Sequence, residues 1–513
     1  MVLDIRAHVS ALIDHNLEAG RGNSTAIITD AGERRSFAQV HAEVCRVGAH
    51  LRDELGVHRE ERVLLVLDDT PAFHAAFLGA IRIGAVPVPV NILARSQDYA
   101  YYLDDSYARV AIVDTSLLEK VAPHVTDRPH VALVVANGPA PDGAHSLDEW
   151  MAEGETELSP VDTHPDDPAF WLYSSGSTGN PKGVVHLQHD VLATCENFAG
   201  KVLGLRAGEV SFSTTKLFHA YGLGNGLTFA LWAGATAVQL AGKPAPDRAL
   251  ERIVTHRPSV LYSVPTLYNA MLNQDGVESL DLSSLRVGVS AAEALPPEVW
   301  RRWQKLTDTE ILDGVGSTEL LHIYCANHPG EVRPGSSGKP VPGYELQVRG
   351  DDGSILPDDE AGGLYVKGGS TLAYYHHQHE KTKNSIQGHW FFTGDRYRRD
   401  ADGYYFYEGR SDDMMKVGGL WVSPIEIENR LMEHEAVREA AVVSTAIEDL
   451  TKIRAAVILH PGLTGDEALT ETLQGWCKDG LQRYQFPHVI DYVDDFPRTA
   501  TGKIQRFKLR AEG

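Results

Sequence analysis

The stretch "SSGSTGNPKG", residues 174 to 183, gathers Ser174, Ser175, Ser177 and Thr178 around Gly176 and Gly179. With no bulky side chains in the way, backbone N–H groups and hydroxyls can converge on one anion, so the segment reads as a cradle for phosphate oxygens. Pro181 stiffens its exit and Lys182 adds a positive charge. The nucleotide-loop pattern GxxxxGK[ST] does not fit, because Pro181 stands five places beyond Gly176 and Lys182 is followed by Gly183. A plain flexible Ser/Gly loop is the competing reading. Against it, strand-like "FWLY" precedes the segment and a helix-like continuation follows, a placement that commonly holds ligands at the strand ends of α/β sheets.

Two other clusters could do chemistry. Lys503 in "TATGKIQR" lies beside Thr501 and Gly502 in an approachable loop and on its own reads as a surface lysine. "YYHHQHEKT" holds His376, His377 and His379, whose spacing suits no two-ligand helical face, so a surface turn is expected rather than a metal site. Cys45, Cys195, Cys325 and Cys477 lie far apart without a CxxC pair, which fits a reducing cytoplasm.

Positioning such groups needs a large scaffold. The chain has 513 residues, 43% of them hydrophobic, enough for more than one domain. Its net charge of -23, from 47 Lys and Arg against 70 Asp and Glu, makes nucleic acid an unsuitable partner. The start, "MVLDIRAHVSALIDHN", has no signal-peptide stretch, and no apolar run approaches the roughly 18 residues of a membrane span, so neither export nor a membrane is expected. "RVLLVL", "TPAFHAAFLGAIRIG" and "AVPVPVN" read as strand, helix and strand. The alternation recurs through "RVAIVD", "VALVVA", "ATAVQL" and "SVLYSVP", so an α/β fold with much parallel sheet is expected. From about 340 to 410, close-spaced strands and Gly/Asp turns indicate a small antiparallel or barrel-like section. The last hundred residues form a compact α+β unit, with the boundary placed at Asp412.

Further segments accompany the cradle in one order: "STTKLFHAYGLGNG" from 213, "DGVGSTELLHIY" from 313, "WFFTGD" from 390, "YEGRSDDMMKVGGLWVSPIEIE" from 407 and "FPRTATGKIQRFKLR" from 496. Together they resemble the adenylate-forming (acyl-CoA synthetase-like) superfamily over nearly the full chain. Within it the chain is most similar to the benzoate-CoA ligases, whose style of "WLYSSGSTG", "AYGLGN", "GSTELLHI" and "GKIQRFKLR" it shares.

The resemblance implies an N-terminal adenylation domain over 1–411, a mobile C-terminal domain over 412–513 and a hinge at Asp412. It implies ATP-dependent activation of an acid as acyl-adenylate, then thioester formation with CoA. A carboxylate is a poor electrophile, and adenylation gives it AMP as a good leaving group. The enzyme must hold a triphosphate, neutralise its charge and aim a carboxylate in line. By resemblance, Ser174, Ser175, Gly176, Ser177, Thr178 and Gly179 with Lys182 cradle the β- and γ-phosphates, Glu319 binds Mg²⁺ and Thr318 lies near the α-phosphate. Ala291, Ala292 and Glu293 flank the adenine with Asp313 and Gly314, and Asp395 takes the ribose hydroxyls with Arg410 assisting. Lys503 bridges carboxylate and α-phosphate. Rotation about Asp412 then exchanges it for "KVGG", where Lys416, Gly418 and Gly419 flank the thiol tunnel.

The resemblance places the acid against His219, Ala220, Tyr221, Gly316, His322 and Ile323, a flat, short slot that excludes a fatty chain. His219 stands where benzoate-CoA ligases are expected to carry phenylalanine; it either gates the carboxylate or faces a hydroxyl or amino group on the ring. Benzoate leads, with amino- and hydroxybenzoates behind it, and "FHAYG" has no acidic residue for a substrate ammonium. A carrier protein's phosphopantetheine is the alternative acceptor, since it presents the same arm as CoA and Arg398, Arg399 and Lys416 do not by themselves make a patch for the 3′-phosphate. A non-catalytic relative is disfavoured by the retained Lys182, Glu319, Asp395 and Lys503. A homodimer is one open expectation for the assembly.

Overall fold

The computed structural model describes residues 7–174, 180–410, 415–417, 420–447, 450–482, 484–498 and 504–511. Strands Arg62–Val66 and Val86–Pro89 flank the helix Pro71–Arg82, whose first-turn proline suits a position that needs no N–H partner. Both strands are buried almost throughout and read as unbroken apolar runs, as parallel strands covered on both faces do. They join Ala108–Asp114, Ala132–Ala136 and His145–Ser146 in a five-stranded parallel sheet.

A second sheet has nine strands. Thr25–Ile28, Thr236–Val238, Val210–Ser213, Val260–Ser263, Val287–Ser290 and Ile311–Gly316 run parallel, and antiparallel strands close both edges. Their carboxyl ends therefore lie along one edge, and Thr214, Ala291 and Ser317 follow three of them. Tyr344–Arg349, Gly362–Gly368, Trp390–Arg399, Tyr405–Arg410 and Ile386–Gln387 form the expected antiparallel section. Helices Pro424–Met432 and Glu467–Gly480 accompany the sheet of Val437–Ile447, Leu450–Leu459 and Val489–Tyr492. Two core clusters there draw only on residues from Met415 to Leu509. The fold is thus α/β, with a large N-terminal and a small C-terminal unit. Among the described residues no helix is long and apolar enough to cross a membrane.

One local expectation fails. Lys182–Leu187 is a strand, paired antiparallel with Pro168–Ser174 so that Ser174 faces Lys182. Segment 175–179 therefore connects two antiparallel strands and does not lead from strand to helix. The reason is that "GVVH" is buried on both faces and has two β-branched residues, a run too short for periodicity to tell strand from helix. The helix starts only at Gln188.

Candidate active site

The Lys182–Leu187 strand and the short Thr318–Leu320 turn bring the charged candidates together. The Lys182 ammonium lies 5.2 Å from the centre of the Tyr375 ring, and the Tyr375 hydroxyl donates to Glu319 Oε1 at 2.9 Å. Glu319 is 9% exposed. Burial holds Lys182 below the usual lysine range, Glu319 opposes that, and Lys381 and Arg410 add to it. Burial, then the Glu319 charge, raises the Tyr375 phenol above its usual value, so it stays protonated and donates. A cation and a carboxylate are thus held in a partly dry setting, where their fields act strongly on an incoming phosphate.

The other nucleotide candidates are held by contacts of their own. Arg410 Nη1 donates to Asp395 Oδ1 at 3.0 Å, the two residues facing each other across paired strands. Ala291 is buried and Ala292 has a φ of 78°, which turns the chain sharply after the Val287–Ser290 strand. The Leu295 N–H lies 3.3 Å from Asp313 Oδ2 and ties this segment to the next strand. Gly314 leaves no room for a side chain, since a Cβ would stand 2.8 Å from the Cys325 carbonyl oxygen.

Asp313 carries a pH signature. Burial pushes its carboxyl up to about 8 from the usual 3.8, against the lowering effect of the Leu295 N–H and the nearby polar groups of Ser290 and Gly314. The folded chain keeps a proton that the unfolded chain releases, so this contribution is full below the unfolded value and is lost as pH rises towards 8. Asp313→Asn should flatten that slope. Melting curves between about pH 5 and pH 8.5 should show the variant gaining several degrees relative to wild type as pH rises, and parallel profiles would refute the assignment.

Tyr221 and Gly316, two of the acid candidates, pack against His322. His322 is 2% exposed, its Nε2 lies 3.0 Å from Asn225 Oδ1, and its ring meets Phe229 at 4.5 Å, Phe198 at 5.2 Å and Tyr221 at 5.4 Å between centres. Burial lowers its pKa to about 3, so it is neutral at physiological pH. The Tyr221 hydroxyl donates to the Val289 carbonyl at 3.1 Å, anchoring the Ala220–Leu223 turn to the strand that runs into Ala291. Gly316 pairs with Ile323. A Cβ on Gly224 would lie 2.4 Å from His322 Cδ2, so this glycine makes room for the ring. His219 precedes the turn with its ring 4.2 Å from that of Phe218.

Ser175, Gly176, Ser177, Thr178, Gly179, Asp412, Gly418, Gly419 and Lys503 lie outside the described residues, as does the side chain of Lys416. Of the others, the structure brings Lys182 near Glu319 and Arg410, pairs Asp395 with Arg410, and sets Tyr221 against His322 and Gly316 beside Ile323. His376 bonds the Asp105 carbonyl at 3.0 Å and packs on Trp171 at 4.2 Å, while His379 begins the helix His379–Ser385. Arg398 and Arg399 pair with Glu408 and Asp358. Tyr375 and Asn225 were missed: the first lay in a segment read for its histidines and the second among glycines.

A sequence model described as AMP-binding enzyme matches residues 14–376, and one described as AMP-binding enzyme C-terminal domain matches residues 426–503. The benzoate–CoA ligase of Thauera aromatica is 48% identical over 504 residues, 98% of this chain and 95% of its own. The anthranilate CoA ligase AuaEII, solved with anthranoyl-AMP, matches with a TM-score of 0.95 at 39% identity over 99% of this chain and 98% of its own. A benzoate CoA ligase from Burkholderia xenovorans LB400 matches with a TM-score of 0.91 at 42% identity over 99% of this chain and 100% of its own. With two family models on the two structural units and relatives aligned nearly end to end, the chain belongs to the AMP-binding enzyme family.

Proposed function

We propose that this chain is an AMP-forming aryl acid–CoA ligase acting on benzoate or on hydroxy- and amino-substituted benzoates. One observation carries the reading: an aromatic cluster, with His322 set among Phe198, Tyr221 and Phe229, follows directly on the Glu319 turn in a chain 48% identical to a benzoate–CoA ligase. Aromatic rings meet such side chains through offset or edge-to-face contacts, which favours an aromatic acid over a flexible aliphatic one. The His322–Asn225 pair puts a polar spot in the apolar wall, where ring substituents can be told apart. A site that hydrogen-bonds a substituent can reject the analogue lacking it by roughly 10⁴-fold, against about 10–200-fold from apolar fit.

Segment 174–179 and Lys182 hold the β- and γ-phosphates, and Asp395, fixed by Arg410, receives the ribose hydroxyls. Glu319 suits Mg²⁺: it is a hard oxygen donor, largely buried and oriented by Tyr375, and Mg²⁺ commonly takes one or two carboxylates besides phosphate oxygens. When bound, the ion neutralises phosphate charge. The substrate carboxylate attacks the α-phosphorus and pyrophosphate leaves; the thiol of CoA then attacks the acyl carbon and AMP leaves. The separate core of residues 415–509 supports a small domain that turns about Asp412 between the two steps and exchanges Lys503 for 416–419.

The test is a mass-spectrometric product assay with ATP, Mg²⁺ and a panel of benzoates, fatty acids and amino acids, with and without CoA. Rapid aroyl-CoA formation is expected. Aroyl-adenylate that accumulates despite CoA would point to a carrier-protein acceptor, and AMP formation with fatty acids alone would refute the substrate class.

A further inference from the structure

His186 has no part in the reading above, yet its partners are specific. It and Asp190 are fully buried. Nδ1 of His186 lies 2.8 Å from Asp190 Oδ2, and Nε2 lies 2.8 Å from the carbonyl oxygen of Thr318. A carbonyl oxygen can only accept, so Nε2 carries a proton and donates. Asp190 is itself held, because Oδ2 accepts from the Leu187 N–H at 3.1 Å where the helix Gln188–Thr194 begins. A helix, a strand and the Thr318–Leu320 turn are thereby joined in one buried line of hydrogen bonds.

Each carbonyl of that turn is held from outside it. Thr318 receives His186, Glu319 receives the Leu372 N–H at 2.7 Å, and Leu320 receives the Ser370 hydroxyl at 2.7 Å. The turn ends on Leu321 at a φ of 64°, a left-handed conformation that a leucine adopts only when its surroundings impose it. Two of the three holds come from 370–372. The third comes from the strand that carries Lys182, and residues four apart on a strand share a face.

We infer that His186, oriented by Asp190, is a positioning residue that ties the Lys182 strand to the Glu319 turn and so sets the separation of the ammonium and carboxylate between which the phosphates lie. The inference rests on the roles proposed for Lys182 and Glu319.

The test compares His186→Gln, whose amide nitrogen reaches about the place of Nε2, with His186→Asn, whose amide reaches only the place of Nδ1. Both put one neutral amide in the same buried space, and a melting curve of each variant separates a general loss of stability from the specific loss of the Thr318 hold. In acid-dependent pyrophosphate exchange, the Gln variant should stay within about threefold of wild type, while the Asn variant should raise the KM for MgATP and lower turnover by roughly 10–100-fold, with little change in the KM for the acid. Hydrogen exchange of the 319–322 amides without substrate should quicken in the Asn variant alone. Equal behaviour of the two variants in both measurements overturns the inference, as does an acid KM that rises in step with that for ATP. If wild type makes no aroyl-adenylate, the proposed reaction fails, and the amide-exchange comparison still decides whether His186 holds the turn.

Discussion

Lys503→Ala is expected to slow aroyl-adenylate formation by about 10²–10³-fold, as loss of a preorganised charge at a developing anion does. Thioester formation from supplied aroyl-adenylate and CoA should stay near wild type. The asymmetry follows from the proposed role: the ammonium meets the substrate carboxylate and the α-phosphate only during the first half-reaction. The described flanks of the segment belong to the small unit. Arg498 pairs with Ile504, and the Gln505 N–H donates to the Pro497 carbonyl at 2.7 Å. Arg498 bonds Glu439, and Arg506 grips Glu428 through bonds of 2.7 and 2.9 Å. Both flanks are thus fastened to the small unit, which under the proposed scheme carries Lys503 with it. Rates of the two half-reactions, measured separately, decide the matter: equal loss in both would contradict the two-conformation scheme.

Glu319→Gln should lower adenylation by roughly 10²-fold and raise the Mg²⁺ concentration needed for half-maximal rate. The amide has the same shape, and its oxygen can still accept from Tyr375, so the change removes charge and little else. Tyr375→Phe is the contrast, because it keeps the carboxylate but frees its orientation; a smaller loss is expected there. Pyrophosphate exchange under a Mg²⁺ titration separates the two. A Gln variant with wild-type rate and metal dependence would remove Glu319 from the site.

What was legible in the sequence had local causes. Glycines and hydroxyls around Thr178 and the lysine after Pro181 read as an anion cradle from residue type and spacing, whereas roles for the acidic residue in "GSTE" and the lysine in "TGK" are implied by the resemblance alone. The strand–helix–strand run from Arg62 to Pro89 is likewise written in short apolar runs and a helical period. The strand at Lys182–Leu187 was misread because four buried residues in a row have no period of their own, and its pairing with Pro168–Ser174 decides its form.

Contacts between distant parts of the chain were beyond its reach. Tyr375 meets Glu319 across 56 positions, Asn225 meets His322 across 97, and His186 meets Thr318 across 132. No local pattern encodes such pairs, since each depends on which strands become neighbours. Burial is decided in the same way: Asp313 is an ordinary carboxylate in sequence and takes its raised pKa only once the sheet and the 291–295 segment close over it. The sequence by itself determined which groups can do the chemistry, because that is a property of the side chains; the tertiary structure decided their distances, protonation and partners, because those are properties of the space between them.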